Sequence, residues 1–217
     1  MRCSEILRRR AEPIWSKVLD HPFVLELYSG RLPLSKFRYY VIQDFNYLVT
    51  MVKVFSIVAA KAPDINHAKI ALELAYGTVT EEMANYVRLL SELGLTVEDV
   101  LRVQPNPTNV AYMNFLIATA YSSDYWTLMA TLLPCFWSYE EIAERHKEKL
   151  DQNPVGVYRK WASVYLSEPY KKIVKDLRDA VDSLSIDSEC LWPGFELATK
   201  YEYMFWTAAY SEEVWPI

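Results

Sequence analysis

The ten-residue stretch LLPCFWSYEE, at positions 132–141, lies inside a longer segment whose pattern predicts a helix from about residue 124 to 149. Pro134 is unexpected there, because proline lacks an amide donor and its ring clashes with the carbonyl four residues earlier. We therefore expect a kink and a carbonyl that needs another partner. Cys135 follows directly, and Tyr139 lies one turn further along the same face.

Two interpretations of Cys135 are open at this point. Most free cysteines are small, buried, apolar residues, and the spacing by itself favours that interpretation. The alternative is a reactive thiol beside a phenol in a locally strained, aromatic helix, because functional sites are where local rules of structure tend to be broken.

Composition limits the class of protein. The chain has 217 residues, of which 52% are hydrophobic and 14% aromatic, so one domain spanning residues 1–217 can bury a large core. The net charge is −5 and no long basic patch is present, which argues against nucleic acid as a partner. No run of about 18 uncharged apolar residues occurs, so no membrane span is predicted. Three widely spaced cysteines favour a reducing cytoplasm over secretion.

The chain shows no strand-like alternation, and its apolar residues recur every three or four positions. We predict an all-α fold, a compact multi-helix bundle with short loops. Thr108 or Asn109 is expected to cap the sixth helix. The predicted helices lie at about residues 4–19, 23–27, 34–62, 65–93, 96–101, 109–121, 124–149, 155–166, 167–184 and 187–214.

Asp44 interrupts an apolar stripe on the third predicted helix. A carboxylate in a stripe that should be buried must be paired or hydrogen-bonded. Asp44 could therefore bond to another helix or face a polar gap. Alternatively, it accepts hydrogen bonds from a ligand amine, while Tyr47, one turn further on, offers a ring for stacking.

Glu202 is the second carboxylate set among aromatic residues, on the last predicted helix with Phe205 and Trp206. It could form a structural salt bridge to a lysine or arginine. It could equally be a desolvated acid whose raised pKa lets it donate a proton near neutrality. Both interpretations stay open from the sequence.

A carboxylate–histidine metal site is not predicted. Glu73, Glu81 and Glu82 share a predicted helix with His67, but no Glu-x-x-His motif of the di-iron type occurs and the chain has three histidines. These glutamates are expected to be solvated, with Glu73 partly buried. Glycine-rich phosphate loops, a dinucleotide fingerprint and GxSxG are also missing from the sequence.

Taken together, the motifs resemble the TenA, or thiaminase II, family of the haem-oxygenase-like helical fold. The resemblance spans nearly the whole chain. The chain has the cysteine at position 135 that is typical of the cysteine-containing branch of the family. The motifs that carry it are HPF at 21–23 with GRLP at 30–33, FxxY at 37–40, QDxxYL at 43–48, LPCxWSY at 133–139, Trp161 with Tyr165, and YExxFWxxAY at 201–210.

The resemblance implies an enzyme that hydrolyses thiamin-derived aminopyrimidines, and also thiamin, in thiamin salvage. Cys135 would be the nucleophile on the pyrimidine ring, next to the carbon that bears the departing group. Glu202 would donate and accept protons at the ring nitrogen and the leaving group. No metal or organic cofactor is implied.

The resemblance also implies the binding residues and the assembly. Asp44 would hold the ring amino group, Tyr47 and Tyr112 would line the pyrimidine site, Tyr139 would lie beside the thiol, and Tyr165 would close the pocket. Homotetramers are usual in this family. Two other classes stay open: a non-catalytic pyrimidine-binding or regulatory module, which would need neither Cys135 nor Glu202, and a redox enzyme of the same fold using iron or quinones, which the few histidines disfavour.

Overall fold

Every regular element in the computed structural model, which describes residues 1–183 and 188–217, is helical. The all-α prediction is therefore confirmed. Two predicted helix ends, at Leu184 and Asp187, lie outside the described residues. The helices are α1 Cys3–Arg10, α2 Glu12–Leu19, α3 Pro22–Tyr28, α4 Leu34–Lys61, α5 Ile65–Gly77, α6 Met83–Glu92, α7 Val97–Leu101, α8 Pro107–Ser122, α9 Tyr125–Asp151, α10 Gly156–Ser163, α11 Glu168–Asp182 and α12 Ser188–Ser211.

Two of the helices that the sequence predicts as continuous are divided. The first is split at Ala11, because Pro13 lacks an amide donor and is tolerated only in the first turn of a new helix, here α2. The second is interrupted between α5 and α6 by a five-residue π-helical turn, Thr78–Glu82. A short 3₁₀ turn, Val164–Leu166, follows α10.

Side-chain caps begin several of the helices. Asp124 accepts a hydrogen bond of 2.8 Å from the backbone nitrogen of Thr127, as its position before α9 predicts. The predicted cap of α8 was wrong: Asn106 caps it, accepting 2.7 Å from the nitrogen of Asn109. Pro107 then takes the first helical position, where the missing amide donor costs little.

The core forms where α9 packs against α11 and α12, and α4 packs against α5, α8 and α12. α4 is long and apolar enough, by length and composition alone, to cross a membrane. In the fold, 56% of its most apolar 18-residue window is buried inside the protein, so a core position accounts for its hydropathy. α9 runs through Pro134 without interruption, and the predicted kink stays a prediction.

Gly194 lets α12 pack closely against α9. A Cβ at this position would overlap the hydroxyl oxygen of Thr131, which is fully buried and donates 2.7 Å to the carbonyl of Thr127. Cys135 lies one turn beyond Thr131, and Glu202 lies about two turns beyond Gly194. The close contact of the two helices therefore also positions the two residues for which catalytic roles are predicted.

Replacing Gly194 by alanine is expected to destabilise the fold. Overpacking a tight contact costs about 1–3 kcal/mol, which should lower the thermal midpoint by several degrees in a scan of the purified protein. Gly77→Ala is the matched control, because Gly77 is helical and a Cβ there would contact nothing within 4 Å. Equal thermal midpoints for Gly194→Ala and the wild type would show that the helices can separate without cost.

Candidate active site

Cys135 lies at the middle of α9 and is half-buried. Its thiol lies beside the carboxyl of Glu202 and the hydroxyl of Tyr47. Burial raises the pKa of Cys135 well above its usual value, and the charge of Glu202 raises it further, whereas the nearby Tyr47 hydroxyl lowers it. The group is therefore a neutral thiol at neutral pH, and it needs a proton acceptor when it reacts.

Glu202 on α12 is 3% exposed and receives a hydrogen bond of 2.6 Å from the hydroxyl of Tyr112 on α8. Burial raises the pKa of Glu202 to about 7, although Tyr112 and the thiol of Cys135 both lower it. In the described part of the chain, no lysine or arginine forms an ion pair with it. The structure thus favours the desolvated acid over the salt bridge for this residue.

Tyr47 and Tyr112 form one wall of the site. Their ring centroids lie 5.1 Å apart, and Tyr112 also stacks on Tyr201 at 4.9 Å. The buried Tyr47 hydroxyl lies close to the Cys135 thiol and to Tyr112, yet it forms no hydrogen bond of good geometry among the described residues. A buried phenol without a partner is costly, which indicates that a ligand can bond to it.

Asp44 is 8% exposed and lies among phenols. Its Oδ2 accepts a hydrogen bond of 3.2 Å from Tyr40 on the same helix and another from Tyr86 on α6. Burial raises the pKa of Asp44 well above its usual value, and the charges of Glu82 and then Glu202 add to the increase. Asp44 thus bonds to another helix, one of the two alternatives that the sequence leaves open, and it also lies near the acid of the site.

Tyr139 and Tyr165 form a second aromatic group at the site. The Tyr139 hydroxyl lies 3.1 Å from that of Tyr40, and its ring is 4.9 Å from Tyr165 and 5.1 Å from Trp206. Trp161 packs at 5.0 Å against Tyr165. The structure therefore brings into one aromatic cluster all seven residues named from the sequence, namely Asp44, Tyr47, Tyr112, Cys135, Tyr139, Tyr165 and Glu202.

Two residues at this site, Tyr86 and Glu82, are not predicted as site residues from the sequence. Tyr86 gives no signal, because a tyrosine on an amphipathic helix is ordinary until its partner Asp44 is known. Glu82 was expected to be solvated, with Glu73 partly buried. This was wrong for both residues, since Glu73 is exposed and Glu82 is half-buried at the end of the π turn.

Among the residues that the structure describes, no group of three His, Cys, Asp or Glu side chains could hold a metal ion. What the site offers instead is a thiol beside an acid with a pKa near 7, a second buried carboxylate, and aromatic walls. These groups suit covalent attack on a flat heteroaromatic ring with proton transfer by the acid.

Comparisons with known proteins identify the family of this chain. Residues 8–212 match the model of the TENA/THI-4/PQQC family. The chain is 31% identical over 220 residues to the aminopyrimidine aminohydrolase of Bacillus subtilis (strain 168), with 99% of this chain and 92% of that protein covered.

Solved structures share the fold. A TenA homologue from P. horikoshii OT3 has a TM-score of 0.94 and 46% identity, covering 97% of this chain and 99% of that one. A domain of unknown function from Shewanella denitrificans, described as having a heme oxygenase-like fold, has a TM-score of 0.78 at 13% identity and covers 96% and 92%.

The fold and the site define the class: a helical, haem-oxygenase-like protein whose aromatic pocket holds a thiol and an acid. The chain belongs to the TENA/THI-4/PQQC family. The family and the fold predicted from the motifs are therefore confirmed.

Proposed function

We propose that this protein is an aminopyrimidine aminohydrolase of the thiaminase II type that acts in thiamin salvage. The observation that carries the proposal is the Cys135 thiol beside the Glu202 carboxyl inside an aromatic pocket. Relatives such as the B. subtilis aminopyrimidine aminohydrolase support it. The presence of Cys135 supports, as part of this proposal, membership of the cysteine-containing branch of the family.

The pyrimidine ring binds between the aromatic walls. Its amino group donates to Asp44, whose Oδ1 takes neither of the bonds from Tyr40 and Tyr86. Such a donor favours the ionised form of Asp44, which burial otherwise disfavours. Tyr47 and Tyr112 line the ring, and the unpartnered Tyr47 hydroxyl bonds to it.

The reaction uses Cys135 and Glu202 together. The sulfur attacks the ring carbon next to the one bearing the aminomethyl group, while Glu202 handles the protons at the ring nitrogen and the departing amine. Loss of the amine leaves an exocyclic methylene, to which water adds, and departure of the sulfur restores the ring. The balance is aminomethylpyrimidine plus water to hydroxymethylpyrimidine plus ammonia.

The remaining two tyrosines complete the pocket. Tyr139 lies beside the nucleophile. Its hydroxyl donates a hydrogen bond to that of Tyr40, which in turn donates to Asp44. Tyr165 packs on Tyr139 and closes the pocket. Both residues shield the thiol from bulk water.

The test is an assay of the purified protein with 4-amino-5-aminomethyl-2-methylpyrimidine and, separately, with thiamin. Release of ammonia together with the hydroxymethyl product supports the proposal, and the ratio of kcat/KM for the two compounds identifies the preferred substrate. Calorimetric binding of the pyrimidine without turnover of either compound would instead favour a non-catalytic pyrimidine-binding module.

Assembly and location form part of the same proposal. A homotetramer would cover apolar side chains that the single chain leaves exposed on α5, the π turn and α6, and light scattering would give the mass of the assembly. A reducing cytoplasm suits a mechanism that needs a free thiol at Cys135. The exposed apolar side chains are Ile65, Leu72, Tyr76, Val79 and Val87.

A further inference from the structure

The π turn Thr78–Glu82 lies beside the site without taking part in the chemistry described so far. Single π turns within helices are rare and are frequent at functional sites, and their wider turn shifts the helical register of the residues that follow. Glu81 is exposed, whereas its neighbour Glu82 is half-buried. The turn thus brings one of two adjacent carboxylates towards the interior.

Glu82 lines a cavity of about 820 Å³ that leads from solvent towards the pocket. Two of the lining residues contact the site directly, since Tyr86 donates to Asp44 and Tyr165 packs on Tyr139. The cavity is therefore the entrance to the pocket, and its inner end is aromatic. The other aromatic residues that line this end are Phe136, Trp161 and Tyr170.

The carboxylate of Glu82 has no cationic partner within the part of the chain that the structure describes. The cationic residues along the cavity are engaged elsewhere. Lys160 pairs with Glu92 at 2.8 Å, and Lys172 pairs with Asp176. Arg88, which also lines the cavity, donates a hydrogen bond of 2.5 Å to Asn85. Burial raises the pKa of Glu82 to about 7, and hydrogen bonding to Thr78 lowers it only in part.

The charge of Glu82 acts on the interior of the site. It raises the pKa of Asp44, more than the charge of Glu202 does, and it also raises the pKa of Cys135, Tyr165 and Tyr170. An unpaired carboxylate among aromatic faces is a favourable environment for a cation, because charge pairing and the ring quadrupoles act in the same direction.

The aminomethylpyrimidine and thiamin both carry a positive charge on the group that leaves the pyrimidine. The aminomethyl group is an ammonium at neutral pH, and thiamin carries a thiazolium ring. The substituent that departs sits on the ring carbon between the carbon that bears the amino group and the carbon that Cys135 attacks. The charge of Glu82 acts on both Asp44 and Cys135, so we infer that the departing substituent lies on the side of the ring that faces Glu82.

We propose that Glu82 is the specificity residue that binds the cationic leaving group, so that the protein selects pyrimidines whose departing substituent is positively charged. This rests on the proposed function. A merely structural role is disfavoured, because an unpaired, half-buried carboxylate weakens the fold rather than stabilising it.

The test compares Glu82→Gln with Glu81→Gln, which removes the same charge from a residue that lines the same cavity but is exposed to solvent. For Glu82→Gln we expect KM for the aminomethylpyrimidine to rise at least about tenfold, as for the loss of a charge-assisted hydrogen bond. The dissociation constant of the neutral hydroxymethylpyrimidine should change by less than about twofold, since that ligand carries no charge for Glu82 to bind. Glu81→Gln should resemble the wild type in both measurements.

Two results would overturn the assignment of Glu82. One is an unchanged KM for the cationic compound, and the other is an equal loss of affinity for the charged and neutral ligands, which would indicate a general defect of the pocket. Both are distinct from failure of the proposed function, which a wild-type protein without turnover of either compound would reveal before any variant is made.

Discussion

Replacing Cys135 by serine is expected to abolish turnover while leaving pyrimidine binding intact. The serine hydroxyl has nearly the same shape but is a far weaker nucleophile, and loss of a covalent nucleophile commonly costs at least about 10³-fold in kcat. The pocket walls do not depend on the sulfur, because Tyr47, Tyr112 and Tyr139 are held by their own packing and hydrogen bonds. Cys135→Ala should behave in the same way.

The measurement combines steady-state kinetics with calorimetric titration of hydroxymethylpyrimidine. Cys190→Ser is the matched control, because Cys190 is exposed and lies outside the pocket. Near wild-type turnover by Cys135→Ala would remove the nucleophile from the mechanism. The raised pKa of Cys135 adds a further expectation: alkylation of the thiol by a neutral reagent should be slow at neutral pH, since little thiolate is present.

Replacing Glu202 by glutamine is expected to reduce activity and increase stability. Removing a general acid and base typically lowers kcat by about 10²–10⁴-fold. Glutamine can still accept the hydrogen bond from Tyr112, so the local packing is preserved. An enzyme that becomes slower but more stable is the signature of an acid kept buried for function at the expense of the fold.

The stability effect depends on pH in a defined direction. The pKa of Glu202 is about 7 in the folded protein, against 4.5 for an unperturbed glutamate. Between these values the folded protein keeps a proton that the unfolded chain has lost, so this contribution to stability is present below 4.5 and is lost as pH rises through 7. At about pH 8 the lost contribution is on the order of 3 kcal/mol.

The Glu202→Gln variant lacks this loss and should exceed the wild type in free energy of unfolding at about pH 8, but not at about pH 4. Denaturant titrations at the two pH values measure the difference. Glu196→Gln, on the same helix, is the matched control, because Glu196 forms a surface ion pair of 2.9 Å with Lys200, and such pairs contribute little. Equal stability of the wild type and Glu202→Gln at both pH values would contradict a buried acid with a raised pKa.

Local patterns predicted most of the helices. Asp64, Thr96 and Asp124 each precede an apolar periodic segment, and each caps the helix that follows. Prediction failed where the competing signal was subtle. The apolar periodicity predicts one helix across Pro13, although this proline lies in the first turn of a second helix. The polar residues Thr108 and Asn109 compete with Asn106 as the predicted cap of α8.

Individual residues of the site were identifiable because they break the pattern of their own helix. Asp44 and Glu202 are carboxylates in apolar stripes, and Cys135 follows a proline inside a helix. The roles carried over to them from the family motifs stay predictions, which the variants described above would test.

Short-range patterns are enough to specify the helical class, most of the helix limits and the unusual position of each polar residue, since these depend on hydrogen bonds and periodicity within a few residues. The partners of those polar residues depend on the packing of the whole chain. Tyr112 reaches Glu202 across 90 residues and Tyr86 reaches Asp44 across 42. The inward position of Glu82 follows from a π turn that has no local signature. Contacts between remote segments depend on how helices pack, and burial, which raises the pKa values at this site, exists only once they have packed.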